Sequence, residues 1–450
     1  RVIDVARITC SGKPVILNVM HNREGGTLRH LQEMGEHLAE HATFLRLSPA
    51  PGGVALRLEG EFDKLSLHFN LPQEQDHLVQ TLQRLQVAHI HYHHLLGHTP
   101  FISQLPELLG LAHDFTLHDY YSYCPQISLT DETHRYCGEK GIEQCRQCVQ
   151  RNPAPGGLDI QAWRDQYTPL LGQARTVISP SADAGQRLLQ MLPQAKVQVV
   201  PHSRLLAQPA QHPTPAPAPL QPTQRLKIVV LGGLSQIKGA DAVEALAVLA
   251  AKQNTPIDIH LMGFAYRQLR TQPHAHLTVH GPYADQDLPQ LLDWLQADVA
   301  WFPALWPETY SYTLSACLEK GLPIVAPALG AFAERLAQRP WSWLTDWDQT
   351  PAQWAAFFEG IRQDHFITGQ SPASQEPPEF SSPMGHGFDY RTQYLQDLRR
   401  PAQPIANELG QMALNICQAP APAMSPAQTS KSLALRLLHK LKNSPLLAPW

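Results

Sequence analysis

DVAWFPALWPETYSYTLSACLEKGLPIVAPALGAFAE (298–334) is the stretch on which the fold turns. It opens as a short buried strand and breaks into a loop carrying Pro303, Pro307 and Glu308. A helix is expected to begin between Thr309 and Thr313, followed by a second strand, PIVAP (323–327), and a turn at Gly330. Strand, loop, helix and strand in this order is the unit of a parallel α/β sheet, whose ligands sit at the carboxyl ends of the strands. The loop presents free backbone N–H groups and the hydroxyls of Thr309, Ser311 and Thr313 at a helix N-terminus, an anion site suited to a diphosphate. Glu308, just ahead, is placed to accept hydrogen bonds from sugar hydroxyls. Read alone, it is a helix-start carboxylate.

Working outward, two segments begin alike. KPVILNVMH (13–21) leads through NREGGT into a helical pattern, and RLKIVVLGG (225–233) leads through LSQIKGAD into AVEALAVLAAK. Strands are also expected at VAHIHYHH (87–94), DFTLHDYY (114–121), ARTVISPS (174–181) and AKVQVVPHS (195–203) in the first half. The second half offers IDIHLMGF (257–264), LTVHGPY (277–283) and LPIVAPAL (322–329). These runs imply an α/β protein with two doubly wound, Rossmann-like domains. The expected division is a first domain over 1–204, a Pro/Ala-rich linker over 205–224, a second domain over 225–400 and a low-complexity tail over 401–450. Within the tail, SLALRLLHKLKNSPLL (432–447) reads as a short basic amphipathic helix, either docked or resting on an anionic membrane surface.

The 450 residues are enough for two self-sufficient cores. A net charge of −4 speaks against a phosphate-tracking surface, so nucleic acid is excluded as a partner. No apolar run reaches membrane-spanning length. Arg1 opens the sequence and reads as a cut from a longer polypeptide, so the first dozen residues are set aside. Cys124, Cys137, Cys145 and Cys148 cluster within one loop while the other three cysteines are scattered, a pattern of a cytosolic protein with one local cysteine site. The closing C-x2-C has zinc-knuckle spacing, so the four thiols are a candidate structural zinc site; disulfides, which a cytosolic setting disfavours, or four unconnected thiols are the alternatives.

WPETYSYTLS (306–315) followed by GLPIVAPALGAFAE (321–334) resembles the donor site of the family 4 retaining glycosyltransferases of the GT-B fold, in the bacterial surface-polysaccharide and O-antigen branch. The resemblance runs from the GGTLRH loop to about residue 400. It implies a cleft between two domains, with Glu308 contacting the donor sugar and Thr309, Tyr310 and Ser311 beside it. Two positions depart from the family. A second glutamate, expected for the ribose with seven residues between it and Glu308, is replaced by Ala316, with Glu319 nearly one helical turn on. In GGLSQIKGAD (232–241), Lys238 is kept as a diphosphate contact, but Gly233 stands where an arginine is usual. HGPYADQDLPQLL (280–292) resembles the nucleobase loop, with Tyr283 the candidate aromatic.

On the acceptor side, NREGGTLRH (22–30) resembles the family's first loop, in which Gly25 and Gly26 let the backbone approach the diphosphate and acceptor. TLHDYYSYCP (116–125) carries a His-Asp pair at a strand end. By resemblance His118 hydrogen-bonds the donor sugar, with Asp119 orienting it or facing the acceptor. HIHYHHLLGH (89–98) holds five histidines. Alternation along a strand separates neighbours onto opposite faces, so a common ion would need ligands from elsewhere. His93 or His94 is placed at the acceptor rim.

These readings imply a cytoplasmic glycosyltransferase, peripheral at most to the inner face of a membrane. Its expected substrates are a nucleotide diphosphate sugar and a glycan or lipid-linked glycan, with retention at the anomeric carbon and no cofactor for catalysis. The other reading is a non-catalytic GT-B module that binds sugar or a partner.

Overall fold

The computed structural model describes residues 2–60, 66–202, 214–380, 384–400 and 406–417. It contains two doubly wound α/β domains, each with helices on both faces of a largely parallel sheet, facing one another in the GT-B arrangement.

The first domain supplies β1 (Val15–Val19), β2 (Thr43–Ala50), β3 (Gly53–Leu58), β4 (Ser66–Asn70), β5 (Val87–Tyr92), β6 (His113–Thr116), β7 (Val177–Ser179) and β8 (Val197–Val199). The second supplies β9 (Leu226–Leu234), β10 (Ile257–Ala265), β11 (Leu277–Gly281), β12 (Val299–Trp301), β13 (Ile324–Pro327) and β14 (Ser342–Thr345). A last short strand, β15 (Gly385–His386), follows.

The second sheet runs β11-β10-β9-β12-β13-β14, all parallel. Counted from β9 this is the Rossmann order 3-2-1-4-5-6, with the reversal between β9 and β12. Its strands are apolar because helices cover both faces: Ile228, Val230, Val299 and Val325 pack under one layer, while Val229, Ala300 and Ile324 pack under the other.

The first sheet runs β15-β8-β7-β6-β5-β1-β2-β3-β4, and its reversal lies between β1 and β5. β2, β3 and β4 form an antiparallel meander at one edge, which the sequence reading did not anticipate. In both domains a crevice therefore opens above the first strand. The NREGGTLRH loop and the histidine run border one crevice; GGLSQIKGAD and the Glu308 loop border the other.

The expected boundary at residue 400 needs correction. β15 pairs with β8 of the first sheet. Tyr390 and Tyr394 are buried against the first domain, and Ala413 and Ile416 of the helix Ala406–Cys417 enter its core. The chain thus returns to its first domain after the second is built, and 406–417 is a docked helix rather than a low-complexity tail. Val5 and Ile8, in the segment set aside at the N-terminus, are also fully buried in that core. Of the linker, 220–224 is tied to the second domain by the buried Arg362, whose Nε donates to the Gln224 carbonyl at 2.9 Å. The basic helix expected at 432–447 lies outside the described residues. Among those described, no helix is long and apolar enough to cross a membrane.

Candidate active site

In the second domain, glycine sets the position of the donor-side loop. Gly330 has φ +63°, and a Cβ there would lie 2.6 Å from the Glu308 carbonyl oxygen and 2.7 Å from its nitrogen. Gly239 has φ +83°, and its Cβ would lie 2.1 Å from the Pro303 carbonyl oxygen. Only glycine permits either approach. The Glu308 carbonyl accepts the Ala331 N–H at 2.7 Å, which locks the loop onto the turn after β13. Glu308 is thereby held at 8% exposure, and its Oε1 lies 3.7 Å from Lys238 Nζ. The two residues come from the two sides of the β9/β12 crevice. The sequence reading placed them 70 positions apart in chain and together in space, and the structure brings them together.

The hydroxyls behave differently from expectation. Thr309 Oγ1 donates to the His118 carbonyl at 2.6 Å. Ser311, at φ +71°, caps the helix Tyr312–Glu319 by accepting the Leu314 N–H, and lies 3.2 Å from Thr313 Oγ1. Thr309 and Ser311 are therefore committed to holding the loop, and the early helix N–H groups remain as the anion-facing donors. Tyr310 is buried, with its hydroxyl accepting from Ser315 at 3.1 Å.

Beneath this loop lies Arg335, which the sequence reading missed. It donates to the carbonyls of Tyr310 at 2.7 Å and Ser311 at 2.9 Å, and to Ser315 Oγ at 2.7 Å. Its guanidinium stacks 4.4 Å from the Tyr310 ring. Burial pulls Arg335 below its ordinary value, opposed by Tyr310, Glu334 and Glu308. Glu334, at the end of the motif, does not face the donor crevice. Its carboxylate accepts the N–H groups of Ala182 and Asp183, at the start of a helix in the other domain.

A cleft of about 550 Å³ separates the domains here, lined by Gly25, Gly26, Arg29, Tyr312, Ala316 and Glu319 among others. Glu319 thus shares a wall with Ala316, the position of the absent second glutamate. Arg29 bridges the cleft, pairing with Glu33 on its own helix and Asp285 on the other domain at 3.0 Å, with its guanidinium 4.2 Å from the Tyr312 ring centre. The site of the absent family arginine is crowded: a Cβ on Gly233 would lie 3.1 Å from the Phe264 ring. Tyr283 is half-buried against the second core, which raises its hydroxyl to about 12, and it does not line this cleft.

In the first domain, Gly25 (φ +123°) starts the helix Gly26–His37, which carries Arg29 into the cleft and His30 into the interior. His93 Nδ1 lies 3.1 Å from His118 Nε2, and His93 Nε2 lies 3.2 Å from Asn18 Oδ1. His30 is fully buried, with its ring centre 5.2 Å from that of His118 and 4.0 Å from that of His202. Burial pulls His30 down to about 3 and holds His93, His118 and His202 well below the usual imidazole range, so all four are neutral. Asp119 is not the partner of His118. It pairs with His94 at 3.0 Å, whose Nδ1 accepts the Leu96 N–H.

No family model matches the chain, and no curated protein does. Similar solved structures include Anabaena HepE in complex with UDP-glucose, with a TM-score of 0.49 and 16% identity over 79% of this chain and 91% of that one. Sucrose-phosphate synthase from Thermosynechococcus elongatus gives 0.47 and 14%, over 78% and 90%. The catalytic domain of starch synthase IV from Arabidopsis thaliana, bound to ADP and acarbose, gives 0.47 and 10%, over 95% and 99%.

The two halves are pinned together beside the site. Tyr120 Oη donates to the Pro307 carbonyl at 2.7 Å, and the Tyr136 N–H donates to the Leu305 carbonyl at 2.9 Å. The loop bearing the cysteines therefore braces the donor loop. Cys124, Cys137, Cys145 and Cys148 are all free thiols. Burial, then neighbouring groups that include the other thiols, raises Cys124 to about 12 and Cys137 to about 11. Among the described residues the one group of three or more His, Cys, Asp or Glu converging within 4.8 Å is His30, His93 and His118.

His30, His202, Arg29 and Arg335 are thus the site residues that the sequence reading passed over. A signal existed for His30, which stands four residues after Gly26 and so one turn deeper on the same helix face. Arg335 carried none, because an arginine in a helix after a turn is ordinarily solvated.

Proposed function

We propose that the chain transfers a hexose or deoxyhexose from a nucleotide diphosphate sugar to a glycan or lipid-linked glycan, with retention. The observation that carries this is the meeting of Lys238 and Glu308 at 3.7 Å, above the β9/β12 reversal. Lys238 and the first N–H groups of the helix Tyr312–Glu319 neutralise the leaving diphosphate. The diphosphate itself takes the proton from the acceptor hydroxyl, so the close carboxylate pair of a retaining glycosidase is not needed. Glu308 holds sugar hydroxyls, and Glu319 takes the ribose in place of Ala316. His118 faces the sugar, while Asp119 and His94 border the acceptor. No cofactor is assigned to the transfer step. Zinc at the four cysteines and contact of the basic C-terminal segment with a membrane are proposals of the same standing.

Glu308→Gln is expected to lower turnover by about 100-fold, the scale of one positioned electrostatic contact. Lys238→Ala is expected to weaken nucleoside diphosphate binding by about 10-fold. Both are measured by donor hydrolysis and transfer with a panel of nucleotide sugars.

A second reading, a non-catalytic sugar- or partner-binding module, is favoured by Gly233 under Phe264 and by Ala316. Donor binding without turnover, unchanged by Glu308→Gln, would establish it.

A further inference from the structure

The first domain's crevice contains a cluster that the transfer reaction does not use as a whole. His30, His93 and His118 come from three separate segments: the helix Gly26–His37, the turn just after β5 and the turn just after β6. Each offers a ring nitrogen, and the three lie within 4.8 Å of one another. His30 is fully buried, yet neither of its ring nitrogens has a partner among the described residues. Buried polar atoms are ordinarily satisfied, so a residue with two such atoms points to a missing ligand. The His93–His118 pair, at 3.1 Å, is close to the roughly 3.3 Å that two nitrogens subtend on a tetrahedral ion bound at about 2.0–2.1 Å.

We infer that His30, His93 and His118 form a three-histidine site for a divalent ion of the zinc class. Its surroundings suit that role. His93 Nε2 lies against Asn18 Oδ1 at 3.2 Å, the outer contact that commits the other nitrogen, Nδ1, to the ion. The ring of His202 lies 4.0 Å from that of His30, and its Nδ1 is without a partner among the described residues. Donor atoms that are all imidazole nitrogens favour zinc, cobalt or nickel over magnesium or calcium.

The site is distinct from the cysteine loop and from the diphosphate contacts. It bears on the proposed transfer at one atom. An ion on His118 Nε2 leaves Nδ1 protonated, so that His118 becomes a fixed donor toward the sugar. That clause rests on the proposed function, whereas metal binding does not.

The test is titration of the metal-depleted full chain with Co2+, without nucleotide sugar, read by visible absorption. A Cys145→Ser/Cys148→Ser variant is titrated beside it to remove thiolate ligands. One cobalt per chain is expected in the variant, with a ligand-field spectrum that lacks sulfur charge transfer; any further cobalt in the unmutated chain belongs to the cysteines. Zn2+ should displace it. His30→Gln and His93→Gln should each weaken binding by about 100-fold or more. Cobalt that binds only through sulfur, or affinity unchanged by His30→Gln, overturns the site. Should a histidine variant fail to fold, the spectrum of the cysteine variant decides alone. Loss of donor turnover in Glu308→Gln leaves this result untouched, so the two readings fail separately.

Discussion

The two domains share a topology and use it in opposite ways. Above the β9/β12 reversal the backbone itself is the device: a bent loop lies within contact distance of Gly239 and Gly330. Above the β1/β5 reversal the side chains are the device, with four imidazoles packed ring on ring. The difference teaches how each kind of site tolerates change. A backbone site fails sharply at a glycine and is indifferent to pH. A buried imidazole site tolerates small changes of shape but is exposed to protons.

The largest expected effect breaks the backbone side of this comparison. Gly330→Ala adds a Cβ 2.6 Å from the Glu308 carbonyl at a positive φ, and should destabilise the second domain by about 3 kcal/mol. Denaturant unfolding followed by the fluorescence of the second domain's tryptophans, Trp301, Trp343 and Trp354 among them, checks this, and nucleotide binding should disappear with it. Loss of less than about 1 kcal/mol would show that the loop has room to move.

Acid should separate the halves in the other direction. His21 and His98, beside the first crevice, are each pulled down to about 4, mainly by burial, with a contribution from neighbouring His94. Their folded values lie below the unfolded value near 6.5, so the stability they confer is present above about pH 6.5 and declines as the pH falls toward 4. Each contributes up to about 1.4 kcal/mol per pH unit across that window. Unfolding at pH 7 and pH 5 should show the first domain losing stability ahead of the second.

The smallest effect sharpens the boundary between them. Tyr120→Phe removes the hydrogen bond to the Pro307 carbonyl and should cost about 1–2 kcal/mol, seen as a lower midpoint of unfolding and weaker donor binding. An unchanged midpoint with weakened binding would mean that the contact orients the loop without stabilising it.

Much of the second domain was legible because its constraints are local. The glycine of IKGAD and the glycine after PIVAPAL are each followed directly by a helix, and Pro303, Pro307 and Glu308 fall in one short loop. Apart from the β2–β4 meander, the strands from VILNV to PIVAP were visible as apolar runs because both faces of their sheets are covered. β14 and β15 were not, since SWLT is mixed in character and Gly385–His386 is a strand only through its pairing with β8.

The first domain's site was read in fragments. GGTLRH, HIHYHH and LHDYY each drew attention, but pairing His93 with His118 and His94 with Asp119 depends on the parallel register of β5 with β6. Sequence alternation correctly separated His93 from His94, and could not show that His30 arrives from a helix to meet His93.

The sequence by itself determined the two parallel α/β domains and the donor loop, because hydrophobic period and glycine placement act between residues close in the chain. The tertiary structure alone decided that the chain returns to its first domain at β15, that Arg335 supports the donor loop from beneath, and that three histidines converge. Each depends on contacts between distant segments, whose partners become defined only when the sheets are ordered and the domains closed.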